Sequence, residues 1–182
     1  KNIESLCFLH SIGYKGAIIT DSSVYNWNRQ ALMYLNEFRN EYTYPLELTL
    51  QENNNLRDTN GEYIVYGRTP MMVSANCIRK TTDTCTHNIN GFEQSLTDRY
   101  RKELPVFTNC IHCYNEMFNA ISTSCHKELS PLLKNGFRKF RLNFTNEDAG
   151  LTCRIIEYYN NVLYQPDLYG EFPLKEYTLG HF

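Results

Sequence analysis

Four cysteines fall close together in the middle of the sequence and could provide a metal site. Cys77 and Cys85 are separated by seven residues, and Cys110 and Cys113 by two, so that all four lie within 37 residues. Two cysteines at the spacing of the second pair can present both sulfur atoms to one ion from a single turn. Four soft thiolates suit zinc or an iron–sulfur cluster, and ligand type alone does not separate the two cofactors. The spacing therefore predicts a four-cysteine site for one or the other.

The other cysteines bear on the compartment. The chain has seven cysteines, an odd number that cannot close completely into internal disulfides, and Cys7, Cys125 and Cys153 are scattered outside the cluster. The chain does not open on a signal-peptide pattern. In a reducing cytosol, cysteines bind metal or stay buried more often than they pair. We therefore expect a cytoplasmic protein, and two alternatives to a metal site stay open: reduced buried thiols, or one disulfide with unpaired neighbours.

Glu47 and His181 are the candidates for catalysis outside the cluster. Glu47 lies at the centre of an otherwise apolar run, 45–50, where an ionised carboxylate is unfavourable without a partner. It either orients a ligand or pairs with an arginine. His181 is the second-last residue, where it either completes a site or frays. The sequence has no HExxH, GxSxG, GxGxxG or GxxxxGK motif, so the catalytic residues remain undetermined at this level.

Composition sets limits on the partners. A chain of 182 residues with 42% apolar content fits one domain with a real core. Its 18 basic and 20 acidic residues give a net charge of −2, which excludes binding of nucleic acid by overall charge. RNA contact would have to be local, and some of the fourteen tyrosines could stack on a flipped base. No run reaches the ~18 apolar residues of a membrane span, so no membrane partner is expected.

Alternating strand and helix patterns predict an α/β fold. Compact apolar or β-branched runs predict four strands, at 15–20, 45–50, 63–74 and 137–144, the third broken at Gly67 and Pro70. Apolar residues at helical spacing predict three helices, at 27–38, 114–129 and 151–163. Residues 76–113, with a hairpin over 94–108, are predicted to be a cysteine-rich insertion.

Strand–helix repeats imply parallel strands joined by crossovers, and a closed barrel needs eight such units. The expected fold is a partial (β/α) barrel-like domain over residues 1–182, or a smaller open sheet.

Several segments together resemble the collagenase-like peptidase family of unknown catalytic type, number 32. The most specific matches are residues 66–77 (YGRTPMMVSANC), 96–99 (LTDR) and 110–115 (CIHCYN). Further segments resemble the family in the same order, namely 21–29 (DSSVYNWNR), 45–48 (PLEL), 141–145 (RLNFT) and 177–182 (YTLGHF). The resemblance thus spans nearly the whole chain.

This resemblance implies a peptidase, a hydrolase of peptide bonds in peptide or protein substrates. Other relatives hold a four-iron cluster on four cysteines and support hydroxylation of RNA bases or of an aromatic quinone precursor. Their first three cysteines resemble Cys77, Cys85 and Cys110. Their fourth cysteine often lies near the strand that corresponds to residues 137–144 of this chain. That segment contains no cysteine, so Cys113 would have to be the fourth ligand.

Three functions follow as expectations. The first is a peptidase with a four-cysteine metal site, the second an iron–sulfur-dependent hydroxylase acting on RNA or a small aromatic substrate, and the third a structural zinc domain that binds a partner. The family's upstream glutamate-rich signature is absent here. We therefore expect the chain to be the later part of a longer protein, inactive alone, with open strand edges through which it self-associates.

Overall fold

The computed structural model describes residues 2–56, 58–87, 91–164 and 170–180, and these ranges contain six α-helices and nine β-strands. The helices are α1 (Ile3–Ser11), α2 (Arg29–Leu35), α3 (Leu50–Asn55), α4 (Ile78–Thr81), α5 (Leu129–Lys134) and α6 (Ala149–Tyr164). The strands are β1 (Ile19–Thr20), β2 (Glu41–Tyr42), β3 (Glu62–Gly67), β4 (Pro70–Ser74), β5 (Gly91–Thr97), β6 (Glu103–Asn109), β7 (Tyr114–Phe118), β8 (Thr123–Ser124) and β9 (Lys139–Asn143).

The described strands form three small sheets. β1 and β2 make a parallel pair, and a parallel bridge between Thr43 and Glu62 connects the chain after β2 to β3. β3 lies between β8, which is antiparallel to it, and β9, which is parallel. The third sheet is antiparallel throughout, in the order β4-β7-β6-β5. The architecture is therefore mixed α/β.

The predicted partial (β/α) barrel-like fold is wrong. The described strands close no barrel, and their pairings are mostly antiparallel. A barrel needs a crossover helix after each strand, whereas β6 and β7 are joined directly by the tight turn 110–113. The predicted helix over 114–129 is the main error. Its first part, Tyr114–Phe118, alternates half-buried and buried side chains with the period of a strand.

A second prediction, a strand over 45–50, is also wrong. The strand that pairs with β1 is the shorter β2, and residues 45–48 are loop. Thr49 then begins α3 with a capping box: its hydroxyl accepts from the Glu52 amide, and the Glu52 carboxylate accepts from the Thr49 amide at 2.8 Å. This local cap outweighs the strand-like alternation of the preceding residues.

The break predicted in the third strand is present, and it separates β3 from β4. Gly67 has a φ of +148°, a region that favours glycine, and a Cβ built there would lie 2.5 Å from the carbonyl oxygen of Asn143. β3 and β9 can approach this closely only because residue 67 lacks a side chain. The chain turns at this point and starts β4 at Pro70.

The main core packs β3 against α5 and α6. Val65, Phe137, Leu132 and Ile155 are fully buried there. The Phe137 ring meets the Tyr44 ring edge-on, with centroids 5.2 Å apart, a geometry that aromatic pairs favour. Large buried side chains on both sides of β3 fix the position of the residues that follow it.

A network of ion pairs and a hydrogen bond connects four strands, β1, β2, β3 and β9. Arg141 of β9 donates from Nη1 to Asp21 Oδ1 at 2.9 Å and from Nη2 to the Glu62 carboxylate, and all three side chains are partly exposed. The same Glu62 carboxylate accepts from the Thr43 hydroxyl at 3.2 Å. Residues that follow β1 and β2 are thereby held beside the start of β3 and the middle of β9.

β4 is an edge strand of the antiparallel sheet, and its side chains are open to solvent. Met71, Met72 and Val73 are each more than half exposed. Such an edge can pair with another chain, and self-association through it remains a prediction. In the described ranges, no helix is both long enough and apolar enough to cross a membrane.

Candidate functional site

The four clustered cysteines all lie at one end of the antiparallel sheet. The register places the end of β4 beside the start of β7, because Ser74 pairs with Asn115. It also places the start of β5 beside the end of β6, because Gly91 pairs with Thr108. Cys77 and Cys85 lie in the connection from β4 to β5, and Cys110 and Cys113 form the turn from β6 to β7. We term this group of four cysteines the thiol end.

The side chain of Asn115 connects the two segments that carry these cysteines. Asn115 is fully buried at the start of β7. Its Oδ1 accepts from the amide of Ile78 at 2.7 Å, and its Nδ2 donates to the hydroxyl of Thr108 in β6 at 3.0 Å. Cys77 immediately precedes Ile78 and is itself buried. Both hydrogen bonds hold the first residue of the cluster beside the hairpin that carries the last two.

The turn 110–113 has a defined backbone conformation. Asn109 and Tyr114 pair across its base, and Asn109 Oδ1 accepts from the His112 amide at 2.9 Å. Cys113 has a φ of +53°, in the left-handed region that non-glycine residues seldom adopt. Cys110 is half-buried and Cys113 is exposed, with the Cys113 sulfur 3.9 Å from the Cys110 carbonyl oxygen.

The donor chemistry at the thiol end fits a thiolate-bound metal, although the side chains as placed do not form a ligand set. Among the described residues, no group of three or more His, Cys, Asp or Glu side chains is arranged to hold a metal ion. All seven cysteines lie in the described ranges, and none forms a disulfide. Convergence of Cys77, Cys85, Cys110 and Cys113 on one centre remains a prediction.

The three remaining cysteines are separate from the thiol end. Cys7 in α1 and Cys153 in α6 are exposed. Cys125 is buried beside β3, where its amide donates to the carbonyl oxygen of Val65 at 2.9 Å. Burial, with the nearby Glu128 carboxylate, raises the pKa of the Cys125 thiol to about 12. Cys125 is therefore protonated at neutral pH and unsuited to act as a nucleophile.

Glu47 lies on the wall of a cleft of about 430 Å³ between the parallel strands and the antiparallel sheet. Asp21 and Glu116 line the same cleft, from the end of β1 and from β7. Asp21 is neutralised by Arg141. Neither the Glu47 carboxylate nor the Glu116 carboxylate forms an ion pair within the part of the chain that the structure describes. We term this space the carboxylate cleft.

The two sequence interpretations of Glu47 are both altered by its position. It lies in the loop after β2 with an exposed side chain, not at the centre of a buried strand. The expected arginine partner is absent among the described residues, since Arg141 pairs with Asp21 and Glu62 instead. Glu116 was missed because 114–129 reads as a helix. Alternation with the buried Asn115 and Met117 is the signal that would have placed it on a strand face.

A serine and a histidine also meet, but they are buried in the core. Ser124 Oγ lies 2.9 Å from His126 Nδ1 and 2.9 Å from the Tyr159 hydroxyl, and both contacts are buried. Tyr159 donates its proton to the Val65 carbonyl at 2.7 Å, so Ser124 must donate to Tyr159 and accept from Nδ1 of His126. The imidazole therefore cannot take the serine proton, and the pair is structural.

His126 makes stability depend on pH. It is 5% exposed and stacks on Phe172 with ring centroids 4.2 Å apart. Burial, helped by the charge of Lys127, lowers its pKa from 6.5 to about 4. Between these values the unfolded state binds a proton that the folded state does not, so stability is lost as the pH falls from 6.5 towards 4.

We expect acidification from pH 7 to pH 4.5 to lower the free energy of unfolding through His126 by about 2 kcal/mol. Urea unfolding of the native chain and of His126→Asn at both pH values measures this contribution, because the substitution removes the titrating group. His10→Asn, a change at an exposed histidine, is the matched control. Equal pH dependence in the native chain and His126→Asn would contradict the assignment.

His181 lies outside the described residues. The segment before it packs beside β8, where the Ser124 amide donates to the Thr178 carbonyl at 2.8 Å and the Thr178 amide donates to the Ser122 carbonyl at 3.0 Å. A role for His181 in a site stays a prediction.

Comparison of the chain with protein-family models, with curated proteins and with solved structures gives no match.

Proposed function

We propose that the chain is the metal-binding part of an enzyme, with Cys77, Cys85, Cys110 and Cys113 holding one zinc ion or iron–sulfur cluster. The observation that carries this proposal is the position of all four cysteines at one end of the antiparallel sheet, with Asn115 joining their two segments. Four thiolates around one centre are stabilised by coordination, whereas a single buried thiolate is not. The resemblance to the cluster-bearing relatives of the collagenase-like peptidases supports three of these ligands, Cys77, Cys85 and Cys110, with Cys113 in place of the fourth.

The identity of the metal would decide what the centre does. Four protein ligands leave no open position, so a zinc ion held by these cysteines would stabilise the fold and would activate no water. An iron–sulfur cluster would supply electron transfer, which favours the hydroxylase expectation, with RNA or a small aromatic molecule as substrate. Zinc favours a peptidase whose catalytic groups lie elsewhere, or a structural domain that binds a partner.

The carboxylate cleft supports peptide-bond hydrolysis as a second candidate function. Glu47 and Glu116 line one cleft and have no cationic partner among the described residues. Two carboxylates facing a substrate can serve as general acid and general base. The Ser124–His126 pair gives no support to a serine mechanism, since both groups are buried.

The metal content of protein purified without air tests the main proposal. We expect about one metal centre per chain, because four thiolates suffice for one tetrahedral site. Iron with sulfide and broad visible absorbance would identify a cluster, and colourless protein with zinc would identify the structural ion. Protein that contains neither iron nor zinc, and that takes up neither after reduction of its thiols, would contradict the proposal.

A further inference from the structure

A second cleft, separate from the carboxylate cleft, lies between β5, β6 and the residues that follow β3. It has a volume of about 470 Å³, within the range of small-molecule sites. Arg68, Gln94, Lys102, Glu103 and Glu176 are among the side chains that line it. We term it the Arg68 cleft, after the arginine of the segment YGRTP.

The guanidinium of Arg68 is fixed in place by neutral groups. Its Nε donates to Asn146 Oδ1 at 3.0 Å, and its Nη1 donates to the carbonyl oxygens of Asn119 and Ala120. Among the described residues, no carboxylate lies within ion-pair distance of Arg68, and its Nη2 makes no hydrogen bond. Arg68 thus presents a positioned positive charge and two unused donors to an anion.

Every other charged side chain that lines this cleft forms an ion pair, except Glu103. Lys102 pairs with Glu176 at 3.0 Å, and Glu93 pairs with Arg79 at 2.7 Å. Glu103, at the start of β6, forms no ion pair within the described ranges. One cation, Arg68, and one anion, Glu103, therefore remain without an opposite charge on the walls of one cleft.

Gln94 supplies a third unused group. Its Oε1 is buried and has no hydrogen-bond partner in the described structure. Gln94 lines the same cleft on β5. This oxygen is closed to solvent in the observed position, so recognition of a ligand in the cleft rests on the two charges.

We propose that the Arg68 cleft binds a zwitterion of the amino acid or short-peptide class. The ligand carboxylate accepts hydrogen bonds from Arg68, and its ammonium group pairs with Glu103. The ring of Phe92 and the side chain of Ile121 give the cleft an apolar surface for small side chains of the ligand. The inference is independent of the metal centre and of hydrolysis, because it uses neither the thiol end nor the carboxylate cleft.

Binding of the dipeptide alanyl-alanine to the native chain, measured by calorimetry, tests the proposal. Each charged hydrogen bond removed should weaken binding about 10- to 100-fold. We therefore expect the C-terminal amide and the N-acetyl derivative each to bind at least tenfold more weakly than the dipeptide. This comparison uses one folded protein, so that it does not depend on the stability of a variant.

Two variants test which residue of the cleft binds each charged end of the dipeptide. Arg68→Gln should bind the dipeptide and its amide equally, and Glu103→Gln should bind the dipeptide and its acetyl derivative equally. Glu37→Gln, at an exposed position outside the cleft, should behave as the native chain.

Three results would overturn the proposal: no binding of the dipeptide up to about 10 mM, well beyond the range of specific sites; equal binding of all three dipeptide forms; or displacement of the dipeptide by an equal concentration of inorganic phosphate. The test needs no bound metal and no turnover, so its failure is distinguishable from failure of the proposed function.

Discussion

Replacing both Cys110 and Cys113 with serine is expected to abolish metal binding. Structural zinc bound by cysteines contributes about 10–16 kcal/mol of apparent binding free energy, and two of the four sulfur ligands are lost in this variant. Because metal binding is coupled to folding, the turn 110–113 and the hairpin of β5 and β6 should also become less protected. Metal analysis and amide hydrogen exchange over residues 91–109 measure the two effects.

Cys153→Ser is the matched control for this experiment. Cys113 and Cys153 are both exposed, so the loss of packing alone predicts small and similar effects at the two positions. Only coordination of a metal by Cys113 predicts a difference, and the single variant Cys113→Ser should therefore lose metal and hairpin protection that Cys153→Ser retains. Equal metal content in the two single variants, or greater sensitivity at Cys153, would contradict the assignment of the four ligands.

Replacing Glu47 or Glu116 with glutamine is expected to lower peptide cleavage by about 10²- to 10⁴-fold, the usual contribution of a general acid or base. Glutamine keeps the size of the side chain and removes its ability to transfer a proton. The measurement is the initial rate of cleavage of a mixed peptide substrate, followed by chromatography. Each of the two variants should lose activity, since hydrolysis needs one carboxylate as the general acid and the other as the general base.

Glu37→Gln, an exposed glutamate outside the carboxylate cleft, should leave the rate within about twofold, as surface substitutions commonly do. Two observations would refute peptide hydrolysis at this cleft. One is full activity in both variants. The other is a lack of cleavage both by the chain and by a longer protein that carries it.

Local parts of the fold could be predicted where the residues determine the backbone directly. Gly67 and Pro70 predict the break between β3 and β4, since one permits an unusual φ and the other lacks a ladder donor. The apolar stripe of α6, with Ile155 and Tyr159 buried four residues apart, predicts a helix. Pro105 predicts an edge position, but β6 is an inner strand: Pro105 pairs with Ser95 of β5, and the pairing of β6 with β7 begins only at Val106.

The barrel could not be excluded from sequence because its main support, a helix over 114–129, rests on an ambiguous pattern. Tyr114, Met117 and Phe118 satisfy a helical period, whereas Asn115 and Met117 satisfy a strand period over the same short stretch. Their pairing with β4 and β6 is a long-range interaction, which decides for the strand. Because this segment is the strand β7 and not a crossover helix, the strands around it form an antiparallel sheet.

In the candidate sites, too, local spacing predicts some features, and others depend on long-range strand pairing. The spacing of Cys110 and Cys113 predicts that they share a turn, and they do. That Cys77 and Cys85 lie at the same end of the sheet follows only from the order β4-β7-β6-β5, which no local pattern contains. Glu116 and Glu103 likewise become notable only once their cleft neighbours are known.

The position of Gly67 beside Thr123 has an evolutionary consequence. Gly67 pairs with Thr123, and Tyr66 with Ser124, so the chain leaves the core sheet and rejoins it at adjacent points. All four strands of the antiparallel sheet lie between these points. Closing a longer or shorter loop between adjacent ends changes stability only slowly with length. Insertions or deletions in the unit that carries the thiol end should therefore change stability little while β3 and β9 keep their sequence.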